Sequence, residues 1–385
     1  MADEISVLVV DDSALMRNLI SKMIETTKGL KVAGVAIHGR DALEKIPKLN
    51  PDVIVLDLEM PEMTGIEFLK KRRKMGIQVP VVILSSKAEE GAAVTIEALS
   101  LGASDFIQKP SGSISVDIAT VASKVTEQIT AYGGKYRRFH KKAGAGAPAA
   151  PASIPPASDQ AKPSISLSNG IAQALGMQEA PKQKIKPVRS SGKIEIIAIG
   201  ISTGGPEALR VVFSRLDPHL NIPILVVQHM PAGFTLEFAR SLDKICPIPV
   251  KEAEDGEIIK GPQIYIAQGA KHLEVERTGG KVVIRLSDTP LVSGHRPSAD
   301  VLFGSVATTY TNHVLGVIMT GMGKDGATQL GTVYREGGLT IGQDEATAVV
   351  YGMPRVAFEL GNVMEQVALE NMGKRISTIA MNSKL

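Results

Sequence analysis

The sequence predicts two α/β domains joined by an unstructured tether: an N-terminal (βα)5 unit, then a doubly wound, mostly parallel sheet. Three observations predict it. Short apolar runs alternate with amphipathic stretches over 5–132; a segment rich in Ala, Pro and Gly without periodicity follows; and from Lys193 apolar runs of strand length resume, with turns and helical stretches after them. The boundaries this sets are 1–133, 134–192 and 193–385 in a chain of 385 residues, enough for two domains at ~100–200 residues each.

In the first domain, strands are expected at 5–10, 30–35, 53–56, 81–84 and 105–107, and helices at 14–27, 39–49, 66–74, 90–101 and 117–132. Strands alternating with helices in this way specify a parallel sheet covered on both faces. In such a sheet, function gathers at the carboxyl ends of the strands. Those ends carry Asp11, Asp12 and Ser13, then Asp57, then Ser85 and Ser86, then Lys109 and Pro110. Three carboxylates on one edge repel one another unless a cation sits among them, and hard oxygen ligands with open positions suit Mg²⁺. A hydroxyl and an ammonium beside them would hold phosphoryl oxygens, which makes Asp57 a candidate carboxylate nucleophile that forms an acyl phosphate. One aspartate at a strand end is more often a helix cap; four such positions at the right strand ends are not explained by capping.

The segments VLVVDDSALMR, VLDLEMPEMTGIEFL, VPVVILSS and LGASDFIQKP resemble the receiver domain of two-component response regulators, over residues 5 to 132. The resemblance implies that Asp57 is the phosphorylated aspartate and that Asp11 and Asp12 bind Mg²⁺ with it. It further implies that Ser85 is the switch hydroxyl, Lys109 its partner lysine, the Lys109–Pro110 bond cis, and a histidine kinase the phosphodonor.

Composition excludes several classes. With 43 Lys and Arg against 40 Asp and Glu, the formal charge of +3 gives no reason to expect nucleic acid or a membrane surface as the main partner. Nothing resembles a helix-turn-helix or a basic recognition helix. The single cysteine, Cys246, allows no intramolecular disulfide, which fits a reducing cytoplasm. The start MADEISVLVV runs from acidic residues into a strand, and no apolar stretch reaches the ~20 residues that span a bilayer. The expectation is a cytoplasmic protein without membrane insertion.

The tether is read from 144–156, GAGAPAAPASIPP, and from the basic, proline-bearing stretch 181–193. Neither can bury enough apolar surface to offset its ordering entropy. Within it, SISLSNGIAQALGM at 164–177 is mildly amphipathic, with plain tether and partner-docking motif as the two readings.

The second domain opens on IEIIAIGISTGGPEAL at 194–209, a buried strand at 194–199, a turn crowded by glycines, and Pro206-Glu207 suited to a first helical turn. Ser202 and Thr203 lie in that turn. A hydroxyl on a sharp strand-to-helix turn is exposed near backbone N–H groups that can receive an oxyanion; the same turn also serves as a phosphate site or as plain turn chemistry. Strands at 224–228 and 314–319 lead to His229 and to TGMGKDG with Asp325, so Ser202, His229 and Asp325 each follow a parallel-type strand. Serine needs a base to become a nucleophile, and the base needs a carboxylate to fix its tautomer. The chain order Ser, His, Asp differs from those of α/β-hydrolases, chymotrypsin and subtilisin. The remaining histidines, His38, His140, His219, His272, His295 and His313, are read as surface or core residues, with His272 and His295 kept open as site residues. No histidine pair has i, i+4 spacing and there is no cysteine cluster, which argues against catalytic zinc.

GISTGGPEAL, VVQHMPAGFT, HRPSADVLF and MTGMGKDGA resemble the diagnostic segments of the CheB family, the protein-glutamate methylesterases of bacterial chemotaxis. The resemblance implies that Ser202 attacks the γ-glutamyl methyl ester of a methyl-accepting chemoreceptor, that His229 is base and then acid, and that Asp325 orients His229. It implies the Met322 amide as an oxyanion donor, Thr203 and Met230 as pocket neighbours, deamidation of receptor glutamines by the same acyl chemistry, and no cofactor in this domain. Lys324 and Ile201 sit at variable-looking positions of these motifs, and the tether is longer than a minimal one. A phosphorylatable domain in front of an esterase reads as a gate: the unphosphorylated receiver would cover the edge that bears Ser202, and phosphoryl-Asp57, drawing on Ser85 and Lys109, would uncover it. The competing readings are a second domain that only binds a partner, and a hydrolase of an unrelated ester.

Overall fold

A computed structural model describes residues 4–85, 89–109, 116–141 and 186–382. In the first domain β1 (Ile5–Val10), β2 (Leu30–Ala36), β3 (Val53–Asp57), β4 (Val81–Ser85) and β5 (Asp105–Gln108) pair in the order β2-β1-β3-β4-β5, every ladder parallel. β3 and β4 are buried at every residue, as apolar runs without alternation require. Helices α1 (Ala14–Glu25), α2 (Gly39–Leu49), α3 (Gly65–Lys74), α4 (Glu89–Ser100) and α5 (Val116–Lys141) cover the sheet. Their starts follow capping chemistry: Ser13 Oγ accepts from the Met16 amide, and Thr64 with Glu67 forms a reciprocal capping box.

α5 runs on past residue 133, to Lys141. Its continuation is packed, not free. Gly133 lies against β1, where a Cβ would meet Ile5 Cγ2 at 2.5 Å, Tyr136 packs on the core, and Arg137 Nε lies 3.7 Å from Asp52. The far end of the tether also closes earlier than residue 192, because Val188 N–H donates to Arg335 O at 2.7 Å and Gly192 N–H to Asn312 O at 3.0 Å. Ser86, Pro110 with its expected cis bond, and the 164–177 segment lie outside the described residues.

The second domain contains a seven-stranded, wholly parallel sheet. Its strands are β6 (Ile196–Ile201), β7 (Ile224–Gln228), β8 (Val250–Glu252), β9 (Ile264–Ile266), β12 (Val314–Ile318), β13 (Leu339–Gln343) and β14 (Glu365–Val367), in the order β14-β13-β12-β6-β7-β9-β8. A separate antiparallel hairpin, β10 (His272–Thr278) and β11 (Lys281–Ser287), turns through Gly279 and Gly280. Helices α6 (Gly205–Phe213), α7 (Thr235–Asp243), α8 (Ala299–Tyr310), α9 (Ala327–Arg335), α10 (Met353–Glu359) and α11 (Leu369–Asn382) complete the layers. The strand expected at 194–199 is displaced to Ile196–Ile201. Gly200 belongs to the ladder and not to the turn: it is glycine because α8 crosses it, where a Cβ would lie 2.7 Å from Ala299 Cβ. Ser202 therefore follows the strand at once. No helix among the described residues is long and apolar enough to cross a membrane.

The two domains touch along β5, α4 and α5 of the first. Phe106 stacks on Phe234 with ring centroids 4.8 Å apart, and Lys135 Nζ donates to the carbonyls of Thr347 at 2.7 Å and Ala348 at 3.2 Å. The fully buried Asp105 carboxylate accepts the Gly204 N–H at 3.0 Å.

Gly65 opens α3 directly beneath the strand end that carries Asp57. A Cβ there would lie 2.5 Å from Asp57 O and 2.8 Å from Leu58 Cα, both backbone atoms that cannot swing away. Gly65→Ala should destabilise the first domain by ~1–3 kcal/mol, read as a lower urea midpoint for its unfolding; an unchanged midpoint would show that the backbone yields.

Candidate active site

β12, β6 and β7 are neighbours in the sheet, so the residues that follow them meet at one edge. Ser202 Oγ lies 3.0 Å from His229 Nδ1, and His229 Nε2 lies 2.8 Å from Asp325 Oδ2. An ionised carboxylate only accepts hydrogen bonds, so Nε2 carries the proton and Nδ1 presents its lone pair to the serine. His229 thus faces Ser202 through Nδ1, and the imidazole is almost wholly enclosed, with 8% of its side chain exposed.

Each of the three is held from behind. Gln228 Nε2 donates to Ser202 O at 3.1 Å and to His229 O at 3.2 Å, tying two strand ends together. The Ser202 N–H donates to Thr320 O, and Thr320 Oγ1 donates to Thr203 O at 2.8 Å, so the end of β12 grips the nucleophile turn. Gly321 allows that approach, since a Cβ there would lie 2.8 Å from Ser202 Cβ. Asp325 is buried at the start of α8, where Ser298 Oγ donates to Oδ1 at 2.6 Å, Ala299 N–H to Oδ2 at 2.7 Å and Asp300 N–H to Oδ1 at 3.2 Å. Burial opposes its charge, but the donors, His229 first, hold its carboxyl below the ordinary carboxylate range.

A cavity of about 630 Å³ opens on this edge. Ser202, Thr203, His229, Met230 and Met322 line it from the second domain, and Gln108, Lys109 and Lys124 from the first. Of the histidines left open by sequence, His295 enters the site and His272 does not. His295 stacks on His229 with ring centroids 3.8 Å apart and planes 12° from parallel, whereas His272 is buried with Nε2 on Pro290 O. Burial, then the neighbouring His229, pushes His295 down to about 4, so a neutral ring faces the base at neutral pH. His38 caps α2, His140 stacks on Tyr136, His219 pairs with Asp217, and His313 bonds Lys193 O. Cys246 is half-buried and inert, its thiol pushed up to about 11 by burial.

In the first domain the carboxylates of Asp11, Asp12 and Asp57 lie within 4.8 Å of one another. Lys109 Nζ reaches Asp57 at 2.7 Å and Asp11 at 3.4 Å. Burial raises the Asp57 carboxyl against the pull of Lys109, and Asp11 adds repulsion. An all-oxygen set with Asp12 exposed fits a hydrated Mg²⁺. Ser85 Oγ is buried and bonded to Thr95 Oγ1 at 2.5 Å.

A serine, histidine and aspartate in hydrogen-bonding sequence at the mouth of a cavity define a hydrolase of the serine type, joined here to a receiver domain. The response regulator receiver domain family matches residues 7–117 and the CheB methylesterase family residues 197–376. A protein-glutamate methylesterase/protein-glutamine glutaminase of Treponema denticola is 55% identical over 376 residues, covering 97% of this chain and 98% of that one. Its counterpart in Treponema pallidum is 47% identical over 399 residues, covering 97% of each. The crystal structure of the Thermotoga maritima CheB methylesterase catalytic domain, 37% identical, covers 49% of this chain and 100% of that one with a TM-score of 0.48. The chain belongs to the CheB family of receiver-linked methylesterases.

Were His229 to take the serine proton, a neutral ring stacked on it would favour the cation, at most on the ~0.5–2 kcal/mol scale of a cation over an aromatic face. His295→Ala should lower kcat by roughly three- to thirty-fold on that scale, and His295→Phe should restore most of the loss; equal loss in both variants would exclude stacking as the cause.

Proposed function

We propose that this chain hydrolyses the γ-methyl esters of glutamate side chains on methyl-accepting chemoreceptors, and deamidates glutamines there, in the cytoplasm under control of a histidine kinase. The observation that carries the reading is the hydrogen-bonded sequence Ser202–His229–Asp325 at 3.0 and 2.8 Å. His229 Nδ1 takes the Ser202 proton as Oγ bonds to the ester carbonyl carbon, and Asp325 stabilises the imidazolium. The developing oxyanion is received by the Met322 and Thr203 amides, neither of which donates to another described residue. Met230, buried beside His229, shapes the pocket with them. The imidazolium then returns its proton to the leaving oxygen and methanol departs. Water, deprotonated by the same nitrogen, attacks the acyl-serine, releasing the glutamate and restoring Ser202 Oγ–H. With a carboxamide the leaving group is ammonia.

The first domain supplies the control. Asp11, Asp12 and Asp57 would hold Mg²⁺, whose charge offsets that of a phosphoryl group bound for Asp57. Lys109, already on Asp57 and Asp11, and Ser85 are placed to answer the new group. Closure is supported by the shared cavity wall and by Asp105, whose carboxylate holds the Gly204 N–H two residues beyond the nucleophile.

Methanol release from methylated receptor membranes should rise when a small phosphodonor and Mg²⁺ are added. Ser202→Ala should abolish it, and Asp57→Ala should leave a basal rate that the donor does not raise; release that survives Ser202→Ala would end the serine mechanism. Asp105→Ala removes the buried contact on the nucleophile turn. It should raise the unphosphorylated rate several-fold and leave the phosphorylated rate within about two-fold, on the scale of a charge-assisted hydrogen bond of ~1.5–3 kcal/mol; an unchanged basal rate would show that closure rests on the apolar contacts alone.

A further inference from the structure

Asp325 sits among more donors than an orienting carboxylate needs in order to hold one imidazole. Its Oδ2 takes His229 Nε2–H and the Ala299 N–H, while Oδ1 takes the Ser298 hydroxyl at 2.6 Å and the Asp300 N–H at 3.2 Å. Ser298 is wholly buried, and it is the N-cap residue of α8. An N-cap serine ordinarily turns its oxygen inward to accept an amide of the first turn. Here the side chain makes no such bond, and the first-turn amides of Ala299 and Asp300 go to Asp325 instead. The capping function has been passed to the carboxylate, and the serine hydroxyl is spent on holding it.

We propose that Ser298 is a positioning residue of the hydrolytic site: its hydroxyl locks the Asp325 carboxylate in the plane that presents Oδ2 to His229 and shares its negative charge with the α8 terminus. This rests on the assignment of His229 as the base. Without the hydroxyl, Oδ1 keeps only the longer Asp300 bond, and the carboxylate is held in its plane mainly from Oδ2, by the Ala299 and His229 N–H groups. More of its charge also falls on the His229 N–H, so the imidazolium is favoured and the base is protonated at higher pH. The other groups that bear on this pair stay in place. They are His295 stacked on His229, the Asp300 carboxyl, raised by burial and close enough to feel Asp325, and Lys124 of α5, which acts on His295. None of them bonds to Ser298.

The test uses the full chain with Ser298→Ala and Ser298→Cys, which keeps the volume and replaces the hydroxyl by a weak donor. Two readouts are taken: the pH profile of kcat/KM for methyl ester hydrolysis, and the ring titration of His229 by NMR, which needs no substrate. Ser298→Ala should lower kcat about ten-fold or more with KM little changed, as expected for a lost hydrogen bond to a charged group. The acid limb of the profile and the NMR midpoint should both move to higher pH, with Ser298→Cys in between. Loss of activity with both midpoints unmoved would reduce Ser298 to a packing residue and overturn the proposal, as would full activity in Ser298→Ala. If Ser298→Ala does not fold, Ser298→Cys decides by the same two midpoints. A moved NMR midpoint in a chain that hydrolyses no receptor ester would uphold Ser298 and discard the substrate reading.

Discussion

Parallel pairing is the constraint on which the rest depends. In a parallel ladder every strand ends on the same edge, so a chain that crosses back through a helix returns each time with its next loop on that edge. The second domain uses three adjacent strands this way. Because β6 lies between β12 and β7, the turn that carries Ser202 is flanked by His229 on one side and Asp325 on the other, and no loop has to reach across the sheet. The first domain obeys the same rule, with Asp11, Asp57, Ser85 and Lys109 at the carboxyl ends of four strands.

Three buried aspartates show how neighbours decide what burial does to a carboxylate. Asp105 is fully enclosed and accepts the Gly204, Phe106 and Tyr132 donors, yet desolvation prevails and its carboxyl is pushed up to about 6. Asp57 has an ammonium at 2.7 Å and is still raised, because burial and the adjacent Asp11 act together. Asp325 alone falls, since His229 and the α8 terminus together outweigh its desolvation. A carboxylate meant to stabilise a cation must be ionised before the cation appears, and Asp325 is the one of the three so arranged. Asp57 is shifted the other way, by burial, although the Lys109 ammonium lies against it.

Most of the architecture was legible because its signals are local. Continuous apolar runs, and Pro206 in the first turn of α6, each mark an element from its own few residues. That Ser202, His229 and Asp325 could meet was legible for the same reason, through three strand ends. What escaped was set by distant partners. Gly200 looked like turn chemistry, but α8 packing on a strand requires it. The three-residue strands β8, β9 and β14 carry too little periodicity to announce themselves. His295 and Ser298 stood within HRPSADVLF, yet only the fold shows one ring stacked on His229 and one hydroxyl on Asp325. The turn of the Ser298 hydroxyl away from its own helix and onto a carboxylate is likewise set by the fold. Asp105 carried no signal at all, since its partner lies 99 residues away across a domain boundary.

The first domain's buried polar contact on the nucleophile turn is made to a main-chain amide. Such a contact is blind to side-chain identity. The hydroxyl at position 202 can be exchanged for another nucleophile, or erased, while the amide at 204 stays where it was. The identity of residue 202 and the contact between the domains are therefore free to drift separately under mutation. The contact falls on Gly204, whose φ of +81° and contact with Val349, 2.8 Å from where a Cβ would stand, leave that position to glycine alone.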